Sequence, residues 1–334
     1  MHLVNLKPRV RKMKWALKYF SSVFLIFIIS CHSDSGREQE IARIPVDLPI
    51  ERFDRQFAQA SSEDIPYLKS RYPYLFPKQY SDSVWMAKLN DTIQQELLSE
   101  VQKTFGDFRE EEEALHSLFQ HITYYFPKYR VPKVITLTSE VQYDNRVVLS
   151  DSLLLLGLDN YLGKDHHFYR SISRYIAQGL DKAYLTSDVV SAFAKKLNRF
   201  PRNRTFLSRM IHYGKEIYLK DLLIPRASDA QKMNYIEEEI TWAEENEEQI
   251  WRYFIEQELL YSTDSELDRR FLDPAPFSKF QLELDSESPG RLGRYIGWQI
   301  VRAFMEKNTE VTITELLDIN AEDIFKKSNY KPKK

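Results

Sequence analysis

Cysteine and glycine are both scarce in this chain of 334 residues, which contains one Cys and nine Gly. Because Cys31 has no second cysteine to pair with, a disulfide within the chain is excluded and the hydrophobic core must hold the fold. Scarce glycine leaves few positions for positive-φ turns, which favours a helix-rich fold over a β-sandwich or a β-propeller. Neither a P-loop nor a GxGxxG pattern is present, so phosphate-cradling loops of these kinds are excluded.

The chain also lacks an apolar run long enough to span a bilayer, which needs about 20 residues. An apolar run over residues 20–30 follows a leader with six Lys or Arg and no acid, and it ends at Cys31. This order is typical of a secretory signal. Residues 28–31, Ile-Ile-Ser-Cys, resemble the cleavage box of bacterial lipoproteins, in which the cysteine is acylated and becomes the first residue of the mature chain.

We therefore predict a lipoprotein signal peptide over residues 1–30, an acylated tether over 31–44 and lipidation at Cys31 with fatty acyl chains such as palmitate. One acyl chain binds a membrane weakly, whereas two or three anchor a protein firmly. The alternatives are a cleaved signal with a chance cysteine and an uncleaved signal anchor. The membrane is then a partner through the N-terminal acyl chains, and the protein is expected to face the periplasm from the inner or the outer membrane.

The charge balance argues against a nucleic-acid partner. The full chain has a net charge of −2, and removal of the six bases in residues 1–30 leaves −8. Binding of phosphates needs clustered Lys and Arg, which an acidic surface does not provide. At 43% hydrophobic and 13% aromatic residues, the chain can build a substantial core.

Apolar residues recur with helical spacing over most of the chain, and the pattern from Ser81 to Gly106 predicts one long helix. Further helices are predicted near residues 170–182, 186–197, 203–223, 232–260, 289–306 and 312–326. Three β-rich segments predict strands at 133–138, 145–149 and 152–158, the last buried on both faces.

The predicted fold is α+β and predominantly helical, a helical bundle with a small mixed β-sheet near residues 132–158. A single envelope domain over 45–328 contains an N-terminal helical part (45–131), the sheet, and a C-terminal helical part (164–328). A basic tail, 329–334, is expected to be frayed.

No catalytic motif stands out in the chain. His116 and His121 are five residues apart and point to different helix faces, so they do not form the zinc pair of HExxH. His166 and His167 are adjacent in a loop, but no partner lies at a typical ligand spacing. Gly214 lies inside a predicted helix, which marks close helix contact or a site. We predict no metal site, no cofactor and no catalytic residue.

The most prominent charge run is acidic and spans residues 237–251. Its apolar members keep helical spacing, which is typical of the solvated face of a packed helix. The alternatives are a carboxylate pair for acid–base chemistry and a docking face for a basic partner.

Several long motifs resemble the gliding-motility lipoprotein B family (GldB) of the Bacteroidetes cell envelope. They are LGLDNYLG (156–163), MIHYGKEIY (210–218), LIP (223–225), WAEENEEQIW (242–251), LYSTD (260–264), APFSKF (275–280), SPGRLGRYIGWQIV (288–301) and KSNYKP (327–332). The resemblance implies a role in surface gliding, with other gliding and secretion envelope proteins as partners. The family in turn is distantly similar to zinc-peptidase-like proteins. Where those carry HExxH, this chain reads VVSAFAKKL (189–197), without histidine or glutamate.

Two main hypotheses follow. The first is a non-catalytic, lipid-anchored scaffold or stabilising component of the gliding and secretion machinery. The second is an envelope hydrolase, peptidase- or glycosidase-like, in which Glu216 pairs with Glu244, Glu245 or Glu247 as acid and base. A chaperone-like carrier with a large apolar groove is a third idea. Acids buried in structural roles favour the first hypothesis, and acids that face each other across a cleft favour the second.

A binding cleft is expected near the glycine of the MIHYGKEIY motif and the turn that opens the SPGRLGRY motif. Its candidate residues are Gly214, Lys215, Glu216, Tyr218, Glu245, Trp251, Pro289 and Gly290.

Overall fold

The structure is a computed structural model that describes residues 31–282 and 285–333, so the predicted signal peptide lies outside the described residues. The chain divides at Pro45 into two compact units. In the first unit, helix α1 spans Cys31–Ala42. The predicted tether is therefore helical over most of its length, with Cys31 as the first residue of the helix.

The second unit contains the remaining described helices and a four-stranded sheet. Its helices are α2 (Phe53–Ala58), α3 (Ile65–Arg71), α4 (Asp82–Leu89), α5 (Thr92–Phe105), α6 (Arg109–Tyr125), α7 (Arg174–Ala177), α8 (Leu185–Leu197), α9 (Phe206–Leu223), α10 (Asp229–Met233), α11 (Glu237–Glu245), α12 (Glu247–Glu256), α13 (Glu266–Phe271), α14 (Leu292–Lys307), α15 (Ile313–Asp318) and α16 (Ala321–Ser328). The predominantly helical α+β fold is thus confirmed. Among residues 31–282 and 285–333, no helix is both long and apolar enough to cross a membrane.

The sheet is mixed, as predicted, and lies mainly within residues 133–157. Its strands are β1 (Ile50–Arg52), β2 (Lys133–Leu137), β3 (Val147–Leu149) and β4 (Leu153–Gly157), in the order β1-β2-β4-β3. β1, β2 and β4 are parallel to one another, and β3 pairs antiparallel with β4. The carboxyl ends of the three parallel strands therefore lie at one edge of the sheet. The sequence did not predict β1, which pairs with a strand about 80 residues away.

Both faces of the sheet are covered, because its side chains enter two separate cores. Val134, Leu154 and Leu156 are fully buried in the main core. Ile135 points into a smaller core that includes Tyr72. Alternate residues of a strand point to opposite faces, so the apolar runs in β2 and β4 are explained by burial on both sides.

The two longest helices of the C-terminal part, α9 and α14, form the most extensive helix contact in the main core. They cross at Gly214 and Gly297, where each glycine faces the backbone of the other helix. A Cβ atom on Gly214 would lie 2.8 Å from the amide nitrogen of Trp298, closer than real Cβ contacts. The glycine predicted to mark close helix contact has this role.

Three long predicted helices are interrupted. The predicted helix from Ser81 to Gly106 is divided into α4 and α5, because the Asp91 side chain caps α5 by accepting from the amide of Gln94 at 2.8 Å. The predicted helix over 232–260 is divided into α10, α11 and α12, and the one over 312–326 into α15 and α16. In the predicted helix over 170–182, only Arg174–Ala177 is α-helical.

The basic tail is docked as far as residue 333, so the expectation that it frays is wrong. The Tyr330 hydroxyl donates to Glu247 Oε1 at 2.8 Å, and the amide of Lys333 donates to the same oxygen at 3.1 Å. The ring of Tyr330 also packs edge-on against Trp251, with the ring centres 5.2 Å apart.

Candidate functional site

The MIHYGKEIY motif forms the middle of α9, and its lysine has a structural partner. Lys215 is 7% exposed, and its Nζ donates to the carbonyl oxygens of Leu317 (2.9 Å) and Ile319 (2.7 Å), at the end of α15. Burial lowers the pKa of Lys215 to about 8. Glu216 and Tyr218 are partly buried on the same helix. Lys215 thus fixes α15 against α9, since a helix C-terminus leaves carbonyl groups that need donors.

The Pro289–Gly290 turn is held by backbone contacts. The carbonyl of Pro289 accepts from the amide of Ser278 at 3.0 Å, and the carbonyl of Gly290 accepts from the Tyr235 hydroxyl. A Cβ on Gly290 would collide with the carbonyl of Ala275. The turn therefore needs glycine for close backbone packing.

The acidic run contains one carboxylate that is fully committed to hydrogen bonds. Glu247 is 1% exposed, and its Oε2 accepts from the Tyr295 hydroxyl at 2.9 Å. Its other oxygen accepts from Tyr330 and from the amide of Lys333. Burial and the adjacent carboxylate raise the pKa of both tyrosines, so both hydroxyls keep their protons. The carboxylate joins α12, α14 and the C-terminal tail.

The residues of the predicted cleft lie in different parts of the fold, and most of them make packing contacts there. Glu245 is exposed at the end of α11, and Trp251 packs against Phe325 and Tyr330. Lys215 lines a cavity of about 590 Å³ beside α15. The cleft itself stays a prediction.

A larger cavity, of about 900 Å³, lies beside the loop that follows β2. Its walls come from the α4–α5 junction, from the loop after β2 and from residues 168–176, which follow β4 in the chain. We call it the sheet-edge cavity. In open sheets with parallel strands, ligands bind outside the carboxyl ends of the strands, so its position makes it the best candidate for a functional site.

The loop after β2 is strained where it lines this cavity. Glu140 and Val141 both have left-handed backbone conformations, with φ of 56° and 57°. Such angles are uncommon without glycine and least favourable for a β-branched residue. Each costs on the order of 1–3 kcal/mol and persists only where surrounding contacts impose it.

A buried carboxylate after β4 supplies these contacts. Asp159 is fully buried and accepts from the backbone amides of Ser139 (2.8 Å) and Val141 (2.7 Å). Burial raises the pKa of Asp159, although these hydrogen bonds oppose the shift. The neighbouring Asn160 donates to Ser139 Oγ at 2.8 Å and to the carbonyl of Gly157 at 3.0 Å. The end of β4 therefore holds the loop after β2 in its strained shape.

The opposite wall presents a buried amide. Gln94 is 4% exposed, lines the cavity and donates through Nε2 to Thr138 Oγ1 at 2.9 Å. Its Oε1 has no hydrogen-bond partner among the described residues. At the rim, Lys88 forms an ion pair with Glu140 at 2.7 Å. The cavity thus combines an unpaired amide oxygen with charged groups at its opening.

The sequence of the chain matches one known protein family. A family model described as gliding motility protein GldB matches residues 34–332. The chain belongs to the GldB family. No curated protein and no solved structure matches it significantly.

In this GldB family member, the LGLDNYLG motif supplies Asp159 and Asn160, for which the sequence predicts no role. The available signal was a pair of polar residues directly after an apolar strand, where parallel sheets place functional groups. No sequence pattern indicated a role for Gln94 or for the strained loop, because their roles depend on contacts between segments that are distant in the chain.

The adjacent histidines also have partners that the sequence did not show. The Nε2 atoms of His166 and His167 lie 3.4 Å from Glu100 and 2.9 Å from Glu96, respectively. Across the part of the chain that the structure describes, no group of three His, Cys, Asp or Glu side chains is placed to hold a metal ion.

Proposed function

We propose that this GldB family member is a lipid-anchored, non-catalytic scaffold that stabilises other envelope components of the gliding and secretion machinery. Membership of the GldB family connects the chain with gliding motility. The observation that carries the non-catalytic role is Glu247, whose two oxygens accept three hydrogen bonds from packed parts of the fold. A general acid or base needs a free oxygen within reach of a substrate.

The other acids of the hydrolase hypothesis support the same reading. Glu244 and Glu245 are exposed on α11, and Glu216 is on α9. Exposed acids on the polar face of a packed helix are typical of a solvated surface.

Helix α8 occupies the place in the chain where the resemblance to zinc-peptidase-like proteins would put HExxH. Its residues Val189, Val190 and Phe193 are fully buried in the main core. Side chains that fill a core cannot also face a catalytic cleft. The burial of α8 therefore supports a structural role for this segment.

The anchor is proposed at Cys31, which begins α1 and ends the apolar leader. Two or three acyl chains on this residue would hold the second unit at a membrane surface. A scaffold that acts on membrane-bound partners gains from this confinement, because it raises the effective concentration of its partners.

Colony spreading of a deletion strain, complemented with variants, tests this function. We expect the wild-type gene and a Glu216→Gln/Glu244→Gln/Glu245→Gln variant to restore spreading, and Cys31→Ala to fail at equal protein amounts. Loss of spreading in the triple variant, with its stability unchanged, would favour the hydrolase. Full rescue by Cys31→Ala would refute the anchor, and a deletion strain that spreads normally would refute the motility role.

A further inference from the structure

The sheet-edge cavity has an apolar wall that is open to solvent. Ile93, in the first turn of α5, is 63% exposed, and it lines the cavity together with Phe168, Ile172 and Ile176. A single exposed apolar residue needs no explanation, but an apolar group within a concave site is typical of a binding surface. The cavity volume of about 900 Å³ is at the upper end of the range for ligand sites.

Polar groups are interleaved with this apolar wall on every side. Gln94, Tyr143, Ser171 and Ser173 all line the cavity. An acyl chain would remove these groups from water without pairing them, at a cost of about 1–3 kcal/mol for each unpaired group. A peptide carries both side chains and backbone N–H and C=O groups, so it can satisfy apolar and polar lining at once.

The unpaired Oε1 of Gln94 points to the same class of ligand. Because the side chain is 4% exposed, water does not readily satisfy this oxygen. The oxygen itself is closed to solvent, so a backbone N–H from a bound peptide supplies the missing donor when the Gln94 side chain turns toward the cavity.

The charges at the opening select among peptides. The lining contains Lys88, Asp91 and Glu140, and since Lys88 is paired with Glu140, the balance is acidic. An acidic opening attracts a basic residue and disfavours an acidic one.

We propose that the sheet-edge cavity binds an extended peptide segment of a partner protein, with an apolar side chain against Ile93, Phe168 and Ile172 and a Lys or Arg beside it. This inference rests on the proposed scaffold function and names the kind of partner segment. The strained loop at Glu140 and Val141, fixed by Asp159, gives the site its shape before binding. A site that is already ordered loses less conformational entropy when its ligand binds.

Two matched variants test the cavity in the complemented deletion strain. Ile93→Glu places an acid on the apolar wall, and Ile255→Glu makes the same change at an exposed isoleucine of α12, 47% exposed. A glutamate in the first turn of α5 is favourable for the helix, so folding should be unaffected. We expect Ile93→Glu to abolish spreading and Ile255→Glu to spread like the wild type, with equal melting temperatures.

Photo-crosslinking in living cells identifies the occupant. The photoreactive analogue p-benzoylphenylalanine replaces Phe168 in the cavity or, as the control, Phe200, which is 60% exposed and outside the cavity lining. We expect crosslinks from position 168 to a segment with an apolar residue next to Lys or Arg, identified by mass spectrometry. Adding Ile93→Glu should lower their yield by about tenfold, and position 200 should not give this product.

Three results would overturn the inference: normal spreading of Ile93→Glu, crosslinks from position 168 to lipid, or crosslinks to segments without the stated pattern. A normally spreading Ile93→Glu strain combined with failure of Cys31→Ala would refute the cavity and leave the scaffold function intact. A deletion strain that spreads normally would remove the scaffold function itself. The two failures are therefore distinguishable.

Discussion

Replacing Gly297 by alanine should destabilise the protein, although alanine is the better helix former. Gly297 lies inside α14, where that helix crosses α9. A Cβ atom at this position would lie 2.5 Å from the carbonyl carbon of Met210, whereas ordinary contacts lie at 3.4–4 Å. Because the obstacle is backbone, no side-chain rotation relieves it, and the helices must separate by about 1 Å along the most extensive helix contact of the main core.

The expected size follows from two opposing effects. Forcing an extra methyl group into a packed core costs about 1–3 kcal/mol, and contact with backbone puts this site at the upper end. Alanine regains about 1 kcal/mol of helix propensity over glycine. We therefore expect Gly297→Ala to lower the free energy of unfolding by about 2 kcal/mol. Urea denaturation should show this as a lower midpoint with an unchanged slope.

The matched control is Gly36→Ala in α1, where a Cβ would meet nothing within 4 Å. This variant should be as stable as the wild type or slightly more stable. Gly214→Ala should resemble Gly297→Ala, and the double variant should lose less than the two losses combined, because one separation of the helices accommodates both methyl groups. A Gly297→Ala protein as stable as the wild type would refute the close crossing of α9 and α14.

The buried polar groups give three further predictions. Glu247→Gln should destabilise the protein by about 2 kcal/mol, speed amide exchange in residues 330–333 and change Trp251 fluorescence, whereas Glu245→Gln should have none of these effects. Asp159→Asn should increase amide exchange at residues 139–141 and lower the melting temperature, because one carboxylate oxygen is lost as an acceptor. Lys215 has a pKa of about 8 when folded and 10.5 in its ordinary state. Between these values the unfolded chain binds more protons, so wild-type unfolding free energy should rise with pH relative to Lys215→Met; a parallel dependence would contradict this.

Local patterns in the sequence predicted which helices and strands form better than they predicted where each one begins and ends. The β-branched run after Pro132 predicted β2 almost to the residue, because strand preference and burial on both faces agree there. The interruptions in the long helices depend on caps. Ser228 and Gln231 form a capping box at α10, and Asn234, with φ of 57°, ends that helix. Helical periodicity continues across such breaks, so it cannot locate them.

Long-range partners were beyond the sequence. β1 forms because Ile50 pairs with Val134 from a distant part of the chain, and its own three residues carry no clear strand signal. The tail looked like a frayed end because its lysines and proline suit solvent, yet Tyr330 and Glu247 meet across 83 positions. The walls of the sheet-edge cavity likewise come from three separate segments, so no single sequence motif predicts it.

Several acids of this protein accept hydrogen bonds that join distant parts of the fold. The Arg302 guanidinium donates hydrogen bonds of 2.7–2.9 Å to the carboxylates of Asp221 and Asp229, where α9, α10 and α14 meet. Asp159 shapes a loop, and Glu247 ties the tail to α12 and α14. The oxygens of these acids accept hydrogen bonds from the protein itself, so they are occupied unless those contacts break. Acids with structural partners therefore suit a protein that holds a fixed shape, and binding at the sheet-edge cavity needs such a shape.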